Sequence, residues 1–319
     1  MEIKYKNFSS NRAFGVELEL HPNLTKLEIA DVVEKNSNIP VVVTGWDISY
    51  GDNYWHLKED STCGPKGHIT KDYGWELASF KASGYKDMLH IGKIATALKN
   101  ANAQINTNCG LHIHVEIADF SPEEVAVLIA NWCKIEQYMC HIVPKHRLKN
   151  KHCKLWSKSR KYSAKNAYEP LEFWNKIKPN NFSPYNNLQK KVSLNLVNYA
   201  YALHRNVSER KTVELRLPAS TLNGGEIINW IRFFILFVET SKEKSMPNNL
   251  VKAKNIDEML NLVGLNHKED VFYIWSKGLY TTKKWLLDKL LDSDAFKCKT
   301  KPSDKKLHCE IKEKLSKIH

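Results

Sequence analysis

The sequence predicts an α+β protein, a sheet covered by helices on one face and lined by polar side chains on the other. Three observations carry that prediction. Short segments alternate apolar and polar residues with a period of two, the mark of half-buried strands. Three of these segments carry ionisable residues two positions apart, so both members of each pair project from the same face. Segments with helical spacing lie between and after them along the 319 residues.

The elements follow in chain order. RAFGVELEL places Val16, Leu18 and Leu20 on one face of a strand and Glu17 and Glu19 on the other. GWELASF, from Gly74, reads as a second short strand, with Glu76 opposed to Trp75 and Leu77. Tyr85 to Ala101 spaces Met88, Leu89, Ile91, Ala95 and Leu98 along a helix face. CGLHIHVEIADFSPEEV then sets His112 and His114 between Leu111, Ile113 and Val115. It ends on an N-cap serine, a proline at the first helical position and a capping-box glutamate, Glu124, which predicts a helix through Tyr138.

Lys145 to Pro184 lacks periodicity and reads as a long ordered loop with short helical pieces, a type that often forms a functional lid. VSLNLVNYAYAL suits a strand or a short helix. KTVELRLPAS alternates cleanly, with Glu214 and Arg216 opposed to Val213, Leu215 and Leu217. Asn223-Gly224-Gly225 leads into an almost wholly apolar helix, Ile227 to Val238, which should be buried. From about Pro247 the chain turns into Lys-rich amphipathic helices, so two parts are expected, 1–245 and a helical 246–319.

Composition narrows the class. An apolar share of 42%, a charged share of 26% and nine tryptophans fit an ordinary globular protein rather than a disordered one. MEIKYKNFSS has no apolar signal core, and the longest apolar run, Ile231 to Val238, contains Arg232 and is too short to span a bilayer. Seven scattered cysteines without a CxxC suit reduced thiols, so a soluble cytoplasmic protein with no membrane partner is expected. Cys133, Cys140, His141, His152 and Cys153 could build a zinc knuckle, although their spacing is not diagnostic.

The net charge of +13 is uneven. Residues 141–191 hold thirteen Lys/Arg against two Glu, and 295–319 hold eight Lys against three acids. Such runs are usually solvated faces. The first is interleaved with Trp156, Tyr162, Tyr168 and Phe173, and could equally serve an anionic nucleotide or polymer.

The three polar pairs can be read singly as solvent-facing residues or a surface ion pair. Together on one sheet face they point to a site. Carboxylates with imidazoles and no thiolates favour hard ions such as Mg²⁺ or Mn²⁺. An arginine on the same face supplies a fork for phosphate or carboxylate oxygens. Metal, arginine and lysines are what phosphoryl transfer from ATP requires. No GxxxxGK[ST] loop and no kinase HRD or DFG set occurs. A metal-dependent phosphoesterase or nuclease, and a basic nucleic-acid-binding protein without catalysis, are the alternatives. The last has no use for Glu17, Glu19 and Glu214 on one face.

The ordered set GVELEL, EDSTCG, GWELAS, NTNCGLHIHVEI and KTVELRLPASTLN, with a helix containing Trp230 after it, resembles the amidoligase family over about residues 12–240. That family belongs to the carboxylate–amine ligase superfamily of glutamine synthetase and glutamate–cysteine ligase. The resemblance implies an ATP-dependent ligase with a curved, mainly antiparallel, glutamine synthetase-like sheet. An acid would be phosphorylated by ATP and captured by an amine to give an amide, at a site with Mg²⁺ or Mn²⁺. It implies Glu17, Glu19, Glu76, His112 and Glu214 as metal ligands, His114 beside the ATP phosphates, and Arg216 on the transferred phosphoryl group. Asp60 and Ser61 match the family's Asp–Ser element, and Arg210 and Lys191 are expected at nucleotide phosphates. Residues 1–245 would form the catalytic domain, and 246–319 could recognise a peptide or polymer carrying a substrate. The chain departs from the family at Glu59 before Asp60-Ser61, at Phe80 after Ser79, and at Ser220-Thr221, which bears on the shape of the substrate pocket.

Overall fold

The computed structural model describes residues 12–43, 53–64, 73–156, 168–179, 190–207, 211–265, 275–293 and 302–317. Eight strands form one sheet: β1 (Ala13–Leu20), β2 (Val41–Val43), β3 (Trp55–Asp60), β4 (Gly74–Ala78), β5 (Ala82–Ser83), β6 (Leu111–Glu116), β7 (Leu194–Asn195) and β8 (Thr212–Leu215). Their order is β2-β3-β4-β1-β6-β8-β7, with β5 paired to the start of β1. Every pairing is antiparallel except β2 with β3. The first described strand, β1, therefore lies at the centre of the sheet.

Ten helices are described: α1 (Lys26–Ser37), α2 (Gly84–Asn100), α3 (Pro122–Ile142), α4 (Lys145–Leu148), α5 (Pro170–Ile177), α6 (Val197–Arg205), α7 (Gly224–Lys242), α8 (Ile256–Val263), α9 (Trp275–Asp292) and α10 (Pro302–Ser316). The alternation in the strands sorts the two faces of the sheet. Val16, Leu18 and Leu20 of β1, Leu57 of β3, Leu77 of β4, Leu111, Ile113 and Val115 of β6, and Val213 and Leu215 of β8 all enter the apolar core. There α2 packs against α1 and α7, and α7 also meets α3 and β6. The α2–α7 contact is backbone-close. A Cβ on Gly224 would stand 2.1 Å from the carbonyl oxygen of Gly92, so only glycine fits.

The capped helix expected from Ser121 is α3, with both halves of the capping box formed. It runs four residues beyond Tyr138, because Met139 and Ile142 continue its buried face and Pro144 stops it. The apolar helix is α7. Ile231 and Phe233 to Val238 are all buried, because α2, α3, α8 and α9 surround it. Arg232 is the exception and lays its guanidinium 5.2 Å over the Tyr85 ring.

VSLNLVNYAYAL divides into both alternatives, the short β7 and then α6. The 145–184 segment yields α4 and α5, and 157–167 and 180–189 lie outside the described residues. Helix α1 and strands β2, β3 and β5 are not anticipated above, although Thr25 and Glu28 form a full capping box. In the C-terminal region α8 meets α7, α9 meets α3 and α7, and α10 meets α9. Leu286, Leu287, Leu290, Leu307 and Ile311 join the same apolar core as the sheet. Among the described residues no helix is long and apolar enough to cross a membrane.

Candidate functional site

Antiparallel register assembles the polar face. Lys58 of β3 stands opposite Glu76 of β4, and Glu76 opposite Glu19 of β1. Glu17 stands opposite His112 of β6. His114 faces Glu214 of β8, which faces Asn195 of β7. Residues distant in sequence thus form lateral rows across six strands, with β1 at their centre. Glu19, Glu76, His112 and Glu214 are each at most 7% exposed.

The contacts are dense. His112 Nδ1 lies 3.1 Å from Glu17 Oε2 and 3.6 Å from Glu214 Oε1, while its Nε2 lies 3.4 Å from Glu19 Oε1. His114 Nε2 lies 3.1 Å from Glu17 Oε1 and 3.9 Å from Glu214 Oε1. The backbone N–H of Gly110 donates to Glu19 Oε2 at 2.5 Å. Lys58 Nζ is 2.7 Å from Glu76 Oε1. Asn195 Nδ2 donates to Glu214 Oε2 at 2.5 Å, and the Arg216 guanidinium pairs with the other oxygen.

This packing divides the acids into two kinds. Burial pushes Glu17 up, but His114, His112 and Lys58 outweigh it and hold it well below the usual carboxylate range. Burial also opposes ionisation of Glu214, and Arg216, His114 and His112 overcome it. Glu19 goes the other way, raised well above normal by burial and by the charges of Asp60 and Glu76, against Gly110 and Arg147. Burial, Glu17 and Asp60 lift Glu76 to about 8 despite Lys58.

The two histidines differ as well. Burial and Arg216 lower His112, leaving a neutral ring. For His114, burial is outweighed by Glu17 and Glu214, which raise it to about 9. Crowded buried carboxylates that resist ionisation are short of positive charge, which a divalent cation could supply.

Among the described residues, two groups of side chains bring potential ligand atoms within 4.8 Å of one another, Glu17–His114–Glu214 and Glu19–Asp60–Cys63. The first is an oxygen and nitrogen set suited to Mg²⁺ or Mn²⁺. The second corrects the expectation of a face without thiols. Cys63 and Cys109 are both fully buried, and Cys63 lies with Glu19 and Asp60. Both cysteines sit just outside strands, where alternation gives no guide to direction. The compact first group takes His114, whereas His112 touches both Glu17 and Glu19 and lies between the groups.

Of the remaining expected residues, Asp60 ends β3 inside the second group, and Ser61 is exposed on the following turn. Lys191 is half-buried near His152, whose imidazole is pushed down to about 4 by burial, Lys191, Lys151 and Arg216. Arg210 lies outside the described residues. Cys133, Cys140, His141, His152 and Cys153 belong to neither metal-capable group among the described residues. The Cys153 thiol instead donates to the carbonyl of Arg147 at 3.0 Å. The aromatic residues of the basic segment also differ from the open reading. Trp156, Tyr168 and Phe173 are core residues and offer no ring face to a polymer, and Tyr162 lies outside the described residues.

Lys58, Asn195 and Arg147 join the site without having been expected there. Lys58 and Asp60 alternate in WHLKED as the glutamates do in β1, and that signal finds Lys58. Asn195 alternates similarly in SLNL. Arg147 comes from a short helix in an aperiodic segment, and no pattern marks it.

No curated protein matches the sequence. The family described as "Putative amidoligase enzyme" matches residues 10–238. The match takes in every strand of the sheet and all the acidic, imidazole and arginine groups of its polar face. Its description suggests an enzyme of ligase type, acting on carboxylate and amine substrates. The chain belongs to this amidoligase family.

Proposed function

We propose that the protein is an ATP- and Mg²⁺-dependent carboxylate–amine ligase that forms an amide bond through an acyl phosphate. The observation that carries this reading is the register that sets Glu17, Glu19, Glu76, His112, His114 and Glu214 on one sheet face with Arg216 at its edge. The sheet is read as the curved glutamine synthetase-like scaffold, with 1–245 as the catalytic unit and 246–319 as an appended helical region. A cytoplasmic setting fits its use of ATP.

Glu17, His114 and Glu214 would hold one Mg²⁺, with Mn²⁺ an alternative, and Glu19, Asp60 and Glu76 a second, His112 steadying the glutamates between them. Bound there, the ions neutralise phosphate charge and align the γ-phosphate. Arg216, held by Glu214, presents its remaining N–H groups to the transferred phosphoryl group. It stays charged throughout, because Glu214, Glu17 and Glu19 raise its pKa against burial. The substrate carboxylate oxygen attacks the γ-phosphorus as the bond to ADP breaks. An amine nitrogen then attacks the acyl carbon, phosphate leaves, and the amine proton passes to a carboxylate of the face. Lys190 and Lys191 at the rim, and Arg210, would receive the nucleotide phosphates.

The test is the fate of the carboxylate oxygen. Incubation with ATP, Mg²⁺ and pooled amino acids and amines should give ADP and phosphate only when acid and amine are both present. ¹⁸O should move from acid to phosphate. Label retained wholly in the acid rules out the acyl phosphate. Hydrolysis of nucleic acid without ATP would instead favour a metal-dependent phosphoesterase. Glu19→Ala and Arg216→Ala should each lower turnover by about 10²–10³-fold while remaining folded by circular dichroism.

A further inference from the structure

Arg147 is 2% exposed, an unusual fate for an arginine in a segment this basic. Its Nη2 donates to the carbonyl of Arg216 at 2.6 Å and its Nε to the carbonyl of Leu217 at 3.3 Å. Arg216 reciprocates, donating from its own Nε to the carbonyl of His152 at 3.2 Å, five residues after Arg147. Each arginine thus grips the backbone that carries the other.

The place of this exchange explains its use. Strand β8 ends at Leu215, and backbone pairing with residues 109–111 resumes at Pro218 and Ala219, so the carbonyls of 216 and 217 fall between the two stretches. The Arg147 fork takes up both carbonyls there. The far side of the clasp is anchored too. The Cys153 thiol donates to the carbonyl of Arg147, and the N–H of Trp156 donates at 2.8 Å to Glu136, a fully buried residue of α3. The guanidinium also lies on Gly110. A Cβ there would stand 2.9 Å from both Arg147 Nη2 and His112 Nε2, so the absence of a side chain lets arginine and imidazole share that space.

We propose that Arg147 is a positioning residue for nucleotide binding, fixing the backbone and hence the guanidinium of Arg216 through this two-way clasp. The inference rests on the reading that Arg216 meets the γ-phosphate of ATP. A planar fork satisfies two carbonyls at once, which a lysine ammonium at the same place does not. Arg147→Lys therefore keeps the charge and breaks the geometry.

The experiment is a double-variant cycle read by calorimetric binding of Mg²⁺ with a non-hydrolysable ATP analogue. Arg147→Lys and Arg216→Lys should each weaken the analogue by about tenfold, the scale of a lost charge-assisted hydrogen bond. The double variant should bind about as weakly as the weaker single variant, because both changes remove one coupled unit. Gly110→Ala crowds the Arg147 guanidinium without deleting a hydrogen-bonding group. It should also weaken binding, giving a second readout if Arg147→Lys folds poorly. Unchanged affinity in folded Arg147→Lys or Gly110→Ala, or losses that simply add in the double variant, would overturn the clasp. Absence of analogue binding by the unaltered protein would instead overturn the ligase reading itself.

Discussion

Glu76 lies between an acid and a base, opposite Glu19 on one side and Lys58 on the other, and keeps its proton to about pH 8. Ionising it in the metal-free protein opposes folding, and a bound cation removes that opposition. Glu76→Gln keeps the shape and removes the charge. In thermal melts near pH 8 the metal-free variant should unfold about 2 °C higher than the parent. In a titration with Mn²⁺ it should bind at least about tenfold more weakly. A lower melting temperature with unchanged Mn²⁺ affinity would contradict this. At this scale the sequence exposes only residues whose neighbours alternate. Glu17/Glu19, His112/His114 and Glu214/Arg216 show themselves because a strand forces i and i+2 to one face. Cys63, Cys109 and Arg147 reach the same place from turns and a four-residue helix, where direction follows from tertiary packing.

Among the elements, the α2–α7 pair makes the tightest demand. Gly224→Ala would drive a methyl into the Gly92 carbonyl, and the backbones must then part. We expect a loss of about 1–3 kcal/mol, seen as a lower urea midpoint with an unchanged slope. Because this contact lies against the apolar side of the sheet, the folded variant should bind the Mg²⁺–ATP analogue as the parent does. A change in that affinity would mean that the helices set the site geometry more directly than the register does. Long periodic elements were legible from the sequence, namely β1, α2, α3 and α7. Strands β2 and β5 have three and two residues, too few for a period to show. Their existence depends on the neighbours they pair with, and α3 outran its expected end because only Pro144 supplies a firm stop.

For the whole molecule, the site makes metal-free stability depend on pH in a definite direction. Glu76 titrates near 4.5 when unfolded and about 8 when folded, so the unfolded chain sheds its proton first and stability falls as pH rises through that interval. The raised His114 contributes stability that is complete below about 6.5 and disappears as pH passes about 9. Both trends run the same way. Thermal melts should therefore show a decline between about pH 6 and pH 9 without metal. Saturating Mg²⁺ should remove most of it, with its largest stabilising effect at the alkaline end. A flat metal-free profile would contradict the charge arrangement described here. The central position of β1 has a further consequence for how the protein is made. A ribosome adding about 5–20 residues per second finishes Arg216 on the order of 10–40 s after Glu17. Throughout that interval the first-made strand lacks β6 and β8, and its two glutamates lack their imidazole and arginine neighbours. The polar face is thus completed late in synthesis, and in a nascent chain shorter than that the acidic residues of β1 stand without their partners.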